Sequence, residues 1–183
     1  MDKLLIIDGN NLAVRSYFAV QGLTTGAGEP TNLIYGFFNA LKSSIELIKP
    51  DKIIITWDLG GETFRHRYSR KKKEEGIIIK IYKESRIDPE KLKVKEDMIS
   101  QMEKVRVGVK YLGIQQIGKR GIEADDVIGM LAKKYKKKYK VIIYSGDKDF
   151  FQLISKNISI YRNDNDIWNL KRFKKEWCVK IKR

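Results

Sequence analysis

The chain has 183 residues, 42% hydrophobic and 10% aromatic, which suffices for one buried core and excludes a disordered tail. Its 38 Lys+Arg against 23 Asp+Glu leave a formal charge of +15, so the expected partner is a polyanion, nucleic acid ahead of an anionic membrane. A single cysteine, Cys178, excludes an internal disulfide framework and a Cys-based zinc site, and a single histidine, His66, excludes His-rich metal and triad chemistry.

Met1-Asp2-Lys3 leads into an apolar run too short for a leader or a membrane span, so a cytoplasmic protein with no membrane partner is expected. Residues 3 to 7 are continuously apolar, as in a strand buried on both faces of a parallel sheet. Asp8-Gly9-Asn10-Asn11 reads as a turn and leaves Asp8 at the strand's carboxyl end. A Gly- and Thr-rich loop over 22 to 32 precedes a helix over 33 to 48, with Ile34, Phe37, Phe38, Leu41, Ile45 and Ile48 at helical spacing and Pro50 as its stop. Residues 52 to 57 form a second buried strand, closed by Asp58-Leu59-Gly60-Gly61. Residues 62 to 95 are strongly basic but interrupted by Ile77, Ile78 and Ile79, so they are more than a charged tail. A helix follows over 96 to 112, whose stripe of Met98, Met102, Val105 and Val109 is core. A short strand is expected over 111 to 117, and Gly118 to Gly121 turns into an acidic helix with Ile122, Val127, Ile128 and Leu131 as its buried face. The Lys/Tyr-rich stretch 133 to 140 fits complementarity to that helix's dipole as well as it fits DNA binding. A strand over 140 to 144 runs into Ser145-Gly146-Asp147; a helical turn at 150 to 154, a strand at 158 to 161 and a helix at 171 to 177 complete the chain. No repeat or linker divides it, so one domain over 1–183 is expected.

The acids carry the chemistry. Three apolar strands each end in one, Asp8, Asp58 and Asp147, and ligands of open α/β sheets bind at the carboxyl edge. Glu123, Asp125 and Asp126 open the helix that should face that edge, and Asp149 follows Asp147. Acids in a first helical turn also satisfy the dipole, which accounts for one of them but not for three in four residues. Carboxylates gathered this way repel unless a cation sits among them, and an all-oxygen set suits hard ions such as Mg²⁺ or Mn²⁺. Two such ions about 3.5–4 Å apart would activate water for phosphodiester hydrolysis without His or Cys.

Several stretches in order resemble the N-terminal metal-binding domain of the 5′ nuclease family, which includes flap endonucleases, phage 5′→3′ exonucleases and the 5′ nuclease domain of bacterial DNA polymerase I. They are residues 5 to 19, Trp57-Asp58, Phe64-Arg65, Tyr82-Lys83-Glu84-Ser85-Arg86, 121 to 129 and 145 to 153. The resemblance implies a PIN-like α/β fold with a mostly parallel central sheet, flanking helices and a basic helical arch over 62–95. It implies Mg²⁺- or Mn²⁺-dependent hydrolysis of DNA near 5′ ends or flaps, with two ions, in a bacterial cell or phage-infected host. Asp8, Asp58, Glu123, Asp125, Asp126, Asp147 and Asp149 carry over as metal ligands, direct or through water. Lys83 and Arg86 carry over as the pair steering the scissile phosphate, and Arg15, Tyr17 and Arg65 as further DNA contacts, with Tyr17 equally placed to be core.

The sequence departs from the family after Asp149. No helix–hairpin–helix region to grip duplex DNA is expected from these 183 residues, Asp164 and Asp166 stand in the wrong place to complete a second metal site, and Cys178 replaces a helix-ending glycine. Two expectations follow: a fragment or split product whose other half sits on a separate helix–hairpin–helix-containing chain, or a reduced nuclease with a weakened second site. Two alternatives stand beside the nuclease reading: a non-catalytic or half-enzyme DNA-binding subunit, and a PIN-type ribonuclease.

Overall fold

The computed structural model describes residues 1–75, 89–162 and 166–177, with 89–93 described by backbone alone. Its elements are β1 (Lys3–Asp8), α1 (Gly9–Ala19), α2 (Asn32–Ile48), β2 (Lys52–Trp57), α3 (Phe64–Glu74), α4 (Pro89–Tyr111), β3 (Gln115–Gly118), α5 (Ala124–Tyr135) and β4 (Lys140–Tyr144). A 3₁₀ helix (Lys148–Leu153), β5 (Ile158–Tyr161), β6 (Ile167–Trp168) and α6 (Leu170–Trp177) follow. The strands form one sheet in the order β3-β2-β1-β4-β5-β6, parallel throughout except for the antiparallel β5–β6 pair at one edge.

The apolar run of β1 decides the layering. Because side chains alternate along a strand, Leu4 and Ile6 enter a core beneath α5, joined by Ile128, Leu131, Ile143 and Ile160. Leu5 and Ile7 enter a second core on the other face, with Leu12, Phe37, Leu41, Ile55, Val105 and Val109. A strand with no solvent face must lie in the interior of the sheet, and each fully buried aliphatic there contributes about 1.5–3 kcal/mol. On the second face α2 packs Leu33, Phe37, Leu41 and Ile48 inward, with Phe37 stacked on Trp57 at 5.8 Å. It ends at Lys49 in the left-handed region (φ 50°), just ahead of Pro50, which has no N–H to continue the ladder.

Several expectations need correction. Asp8 to Asn11 form no separate turn: the chain passes directly from β1 into α1, because Asp8 serves as the N-cap and its carboxylate takes the Asn11 N–H at 3.0 Å. Gly9 makes this passage possible, since a Cβ there would lie 2.6 Å from the Trp57 ring. The helix expected over 96 to 112 begins earlier, at Pro89, and Tyr111 and Leu112 are exposed, so the following strand starts only at Gln115. Ile122 is outside α5 and largely exposed, whereas Val127, Ile128 and Leu131 are buried as expected. The antiparallel strand β6, two residues long, carried no periodicity to reveal it. Cys178 lies outside the described residues. Among the described residues no helix is long and apolar enough to cross a membrane.

Candidate active site

The strand order reverses between β1 and β4: the chain leaves β1 toward β2 and β3, then returns to place β4 and β5 on β1's other side. Connections depart to opposite faces there, which opens a crevice at the carboxyl ends of the two strands. Asp8 ends β1 and Asp147 lies just beyond β4, one on each lip.

Asp8 is 5% exposed. Its Oδ2 accepts the Ser145 hydroxyl across the crevice at 3.0 Å while its Oδ1 caps α1. The same Ser145 oxygen accepts the Asp147 N–H at 3.2 Å, so one hydroxyl holds both lips. Burial pushes the Asp8 carboxyl above the usual aspartate range. The Asn11 N–H and Ser145 hydroxyl pull it down, and the charges of Asp147 and Asp58 raise it further. Asp8 is thus a buried carboxyl near enough to Asp147 and Asp58 to feel their charge.

Neighbouring side chains tie the surrounding loops to α1. Asn10 accepts the Asp58 N–H at 2.8 Å and Asn11 accepts the Gly146 N–H at 2.9 Å, so the first turn of α1 fixes the loops after β2 and β4. Asp58 accepts the Gly60 N–H and Asp147 the Asp149 N–H, so each spends one oxygen on its own turn. Gly60 in turn accepts the Gly121 N–H at 2.9 Å, which joins the loop after β2 to the approach to α5.

Glu123 occupies the N-cap position of α5 but makes no side-chain cap bond. Its carboxylate accepts the Thr63 hydroxyl at 3.1 Å and pairs with Arg65 at 3.0 Å. Arg65 also grips both oxygens of Asp126 at 2.9 Å. Thr63 has one proton and gives it to Glu123, so its 2.7 Å contact with His66 Nδ1 requires that nitrogen to carry a hydrogen. His66 therefore stands behind Glu123 through Thr63, closer to the acids than a solvated face would put it.

Asp8, Asp58, Glu123 and Asp125 line one cavity of about 250 Å³ with Asn10 and Asn11. Asp125, Asp126 and Asp149 line a neighbouring one of about 500 Å³ together with Arg65 and Lys133. Six of the seven acids thus line two adjoining cavities with Asp125 common to both, and Asp147 lines neither but is tied to Asp8 through Ser145. Among the described residues, no three His, Cys, Asp or Glu side chains are clustered tightly enough to hold one ion as they stand. The donor set is all oxygen and suits a hard divalent cation; Arg65, spanning Glu123 and Asp126, supplies the positive charge there.

Other residues singled out in the sequence have different surroundings. Arg15 donates to the Arg162 carbonyl at 3.0 Å and lies over the Tyr144 ring, beside Gly146. Tyr17 donates to Asp97 at 2.9 Å and packs against the second core. Asp166 binds Trp168 and Arg172, as a fastener of β6 to α6. Lys83 and Arg86 lie outside the described residues. Sequence reading passed over Asn10, Asn11, Thr63 and Ser145 as supporting residues; their signal was adjacency to the acids, which turn chemistry explained equally well.

The chain has relatives among known proteins. A family model described as the N-terminal resolvase-like domain of 5′-3′ exonucleases matches residues 3–180. A 5′-3′ exonuclease of Aquifex aeolicus is 38% identical over 168 residues, covering 91% of this chain and 53% of its own length. A 5′-3′ exonuclease of Bacillus subtilis is 30% identical over 179 residues, 96% of this chain and 55% of its own. The chain therefore spans about half the length of these curated relatives. Among solved structures, T5 5′-exonuclease with bound zinc superposes with a TM-score of 0.71 at 18% identity, over 97% of this chain and 61% of that one. That likeness shows the fold, which is PIN-like.

Proposed function

This chain belongs to the 5′-3′ exonuclease family, as its N-terminal resolvase-like domain, and from that premise we propose that it hydrolyses DNA phosphodiesters near 5′ ends or flaps with the help of divalent ions. The observation that carries the reading is the buried Asp8 at the switch point, facing Asp58 and Asp147 and held by Ser145. A purely structural acid would not be buried among its own kind.

Asp8, Asp58, Glu123 and Asp125 would hold one ion, and Asp126, Asp147 and Asp149, with Asp125 between the groups, a second; Mg²⁺ or Mn²⁺ fits such oxygen donors. The chemistry supplied by bound ions is activation of a water nucleophile and neutralisation of charge on the phosphate. The chain's own residues do the positioning. Ser145 and Asn11 fix the Asp8 carboxylate, Asn10 fixes the loop bearing Asp58, and Thr63 orients Glu123. Arg65 neutralises Glu123 and Asp126 and stands where a phosphate would approach. Lys83 and Arg86 are assigned, on family motif alone, to steer the scissile phosphate from an arch over 62–95. Arg15 is assigned a neighbouring phosphate, from its place beside Gly146. The proposal includes a cytoplasmic setting and a duplex grip from a helix–hairpin–helix region on another chain.

One observation favours a second reading. Arg65 already compensates Glu123 and Asp126, as it would in a subunit that holds DNA without cutting it. The experiment offers a 5′-labelled flap, a nicked duplex and single-stranded RNA with Mg²⁺ or Mn²⁺, beside Asp8→Asn. Cutting of the flap near its junction that falls more than about 100-fold in the variant, beyond what a supporting residue costs, supports the nuclease. Metal-dependent binding without cutting selects the second reading, and cutting of RNA alone selects a ribonuclease.

A further inference from the structure

The strands' amino edge, opposite the acids, carries a group of lysines. Strand β4 starts there at Lys140, level with Lys3, and β2 starts at Lys52, level with Leu4. The twelve residues of α5 span about 18 Å between the two edges, and the turn that follows it carries Lys136, Lys137 and Lys138, all exposed, with Lys134 just before and Lys52 on a cavity shared with Tyr135 and Tyr139. Dipole complementarity fades beyond the last helical turn, so it accounts for Lys134 but not for Lys136 to Lys138.

This turn is built rather than loose. The Tyr139 and Lys138 N–H groups both donate to the Tyr135 carbonyl at 2.9 Å, and Asn157 donates to the Lys136 carbonyl at 2.9 Å. Tyr139 is buried in the core beneath it, and the Lys134 and Lys138 ammonium groups lie over the Tyr135 and Tyr139 rings at 5.5 and 5.6 Å. Lys140 is tethered to Asn157 and Lys3 to the Ile48 carbonyl, while Asp51 is engaged by the Lys3 N–H. Among the described residues no carboxylate pairs with Lys134, Lys136, Lys137 or Lys138, so a cationic surface on a hydrogen-bonded turn faces outward.

We propose that this lysine turn and the strand starts beside it form a second nucleic-acid surface, which takes the phosphate backbone of a duplex arm away from the acidic edge. The inference extends the nucleic-acid reading above. Cations spaced along a held turn suit a row of phosphates, whose released counterions drive binding. An anionic membrane fits less well, because both tyrosines of the turn are packed inward and leave no apolar wedge. The exposed Tyr111 and Leu112 end α4 ahead of β3 and are not part of the turn.

The test measures binding of a blunt 20-base-pair duplex by fluorescence anisotropy over a salt series, without divalent ions, so that the acidic edge repels phosphates and nothing is cut. The parent is compared with a triple variant, Lys136→Gln/Lys137→Gln/Lys138→Gln, and with an equal-charge control on α6, Lys171→Gln/Lys174→Gln/Lys175→Gln. At about 0.9 per phosphate contact, the slope of log K against log salt falls by about 2–3 in the first variant and by less than about 1 in the control. Equal falls in both, or none in the first, overturn the proposal by reducing the effect to net charge. A turn variant that loses phosphatidylserine vesicles but keeps duplex binding also overturns it, in favour of a membrane. Failure of the parent to cut flaps would sink the nuclease reading and leave this comparison standing.

Discussion

Asp8 spends stability on position. A carboxyl whose folded pKa is raised holds its proton more tightly in the folded state than in the unfolded chain. Its contribution to folding is therefore lost as pH rises above the ordinary aspartate value of 3.8 through the raised one. Asp8→Asn should unfold at a higher temperature than the parent at pH 7 in EDTA, and the gap should close as pH falls below about 4; an unchanged or lower melting temperature at pH 7 would show that Asp8 is not under electrostatic strain. Ser145→Ala tests the support separately. It removes the hydroxyl shared by Asp8 and Asp147, and Mn²⁺ affinity read by electron paramagnetic resonance should fall about 10–100-fold, as for other residues that orient ligands. Gly9→Ala forces a methyl into Trp57 and should cost about 1–3 kcal/mol in urea unfolding.

At the scale of elements, α3 and α5 meet through charge. Thr63 and Arg65 at the start of α3 engage Glu123 and Asp126 at the start of α5, so the base of the basic segment rests on the acids proposed to bind metal. Arg65→Gln should lower metal-free stability by about 1 kcal/mol, since the guanidinium is nearly half exposed and screened. It should tighten Mn²⁺ binding several-fold by removing a competing cation; weaker binding would make Arg65 a supporter of the ligands instead. At the sheet's edge, burial raises the Asp166 carboxyl, but the Trp168 indole and the Arg172 and Arg162 guanidiniums outweigh it and hold it below the usual range. Its stabilising effect is present at neutral pH and lost as pH falls through that lowered value. Asp166→Asn should therefore weaken β6–α6 docking at pH 7, seen as faster amide exchange in α6, with little difference from the parent in strong acid.

Across the whole molecule, acids collect at the carboxyl edge of the sheet and lysines at its amino edge, with α5 running between them. The sheet that separates them depends on two cores sharing β1, and Phe37→Ala, which removes the stack under Trp57, should cost about 3–5 kcal/mol in chemical unfolding. The amino-acid sequence determined by itself the buried strands β1, β2 and β4, the helix α2, the later part of α4, the buried face of α5 and the acids at three strand ends. Continuous apolar runs and 3.6-residue stripes are local signals that need no partner to be legible. The resemblance likewise rested on short stretches whose order along the chain is visible without coordinates. Only the tertiary structure decided that Asp8 caps α1 rather than sitting in a turn, because the Gly9–Trp57 approach and the Ser145 bond come from distant parts of the chain. It alone decided that Arg65 clasps Glu123 and Asp126 and that Tyr17 turns to Asp97. Those partners lie about 60 to 80 residues away, and periodicity records which face a side chain takes, not which distant group meets it there.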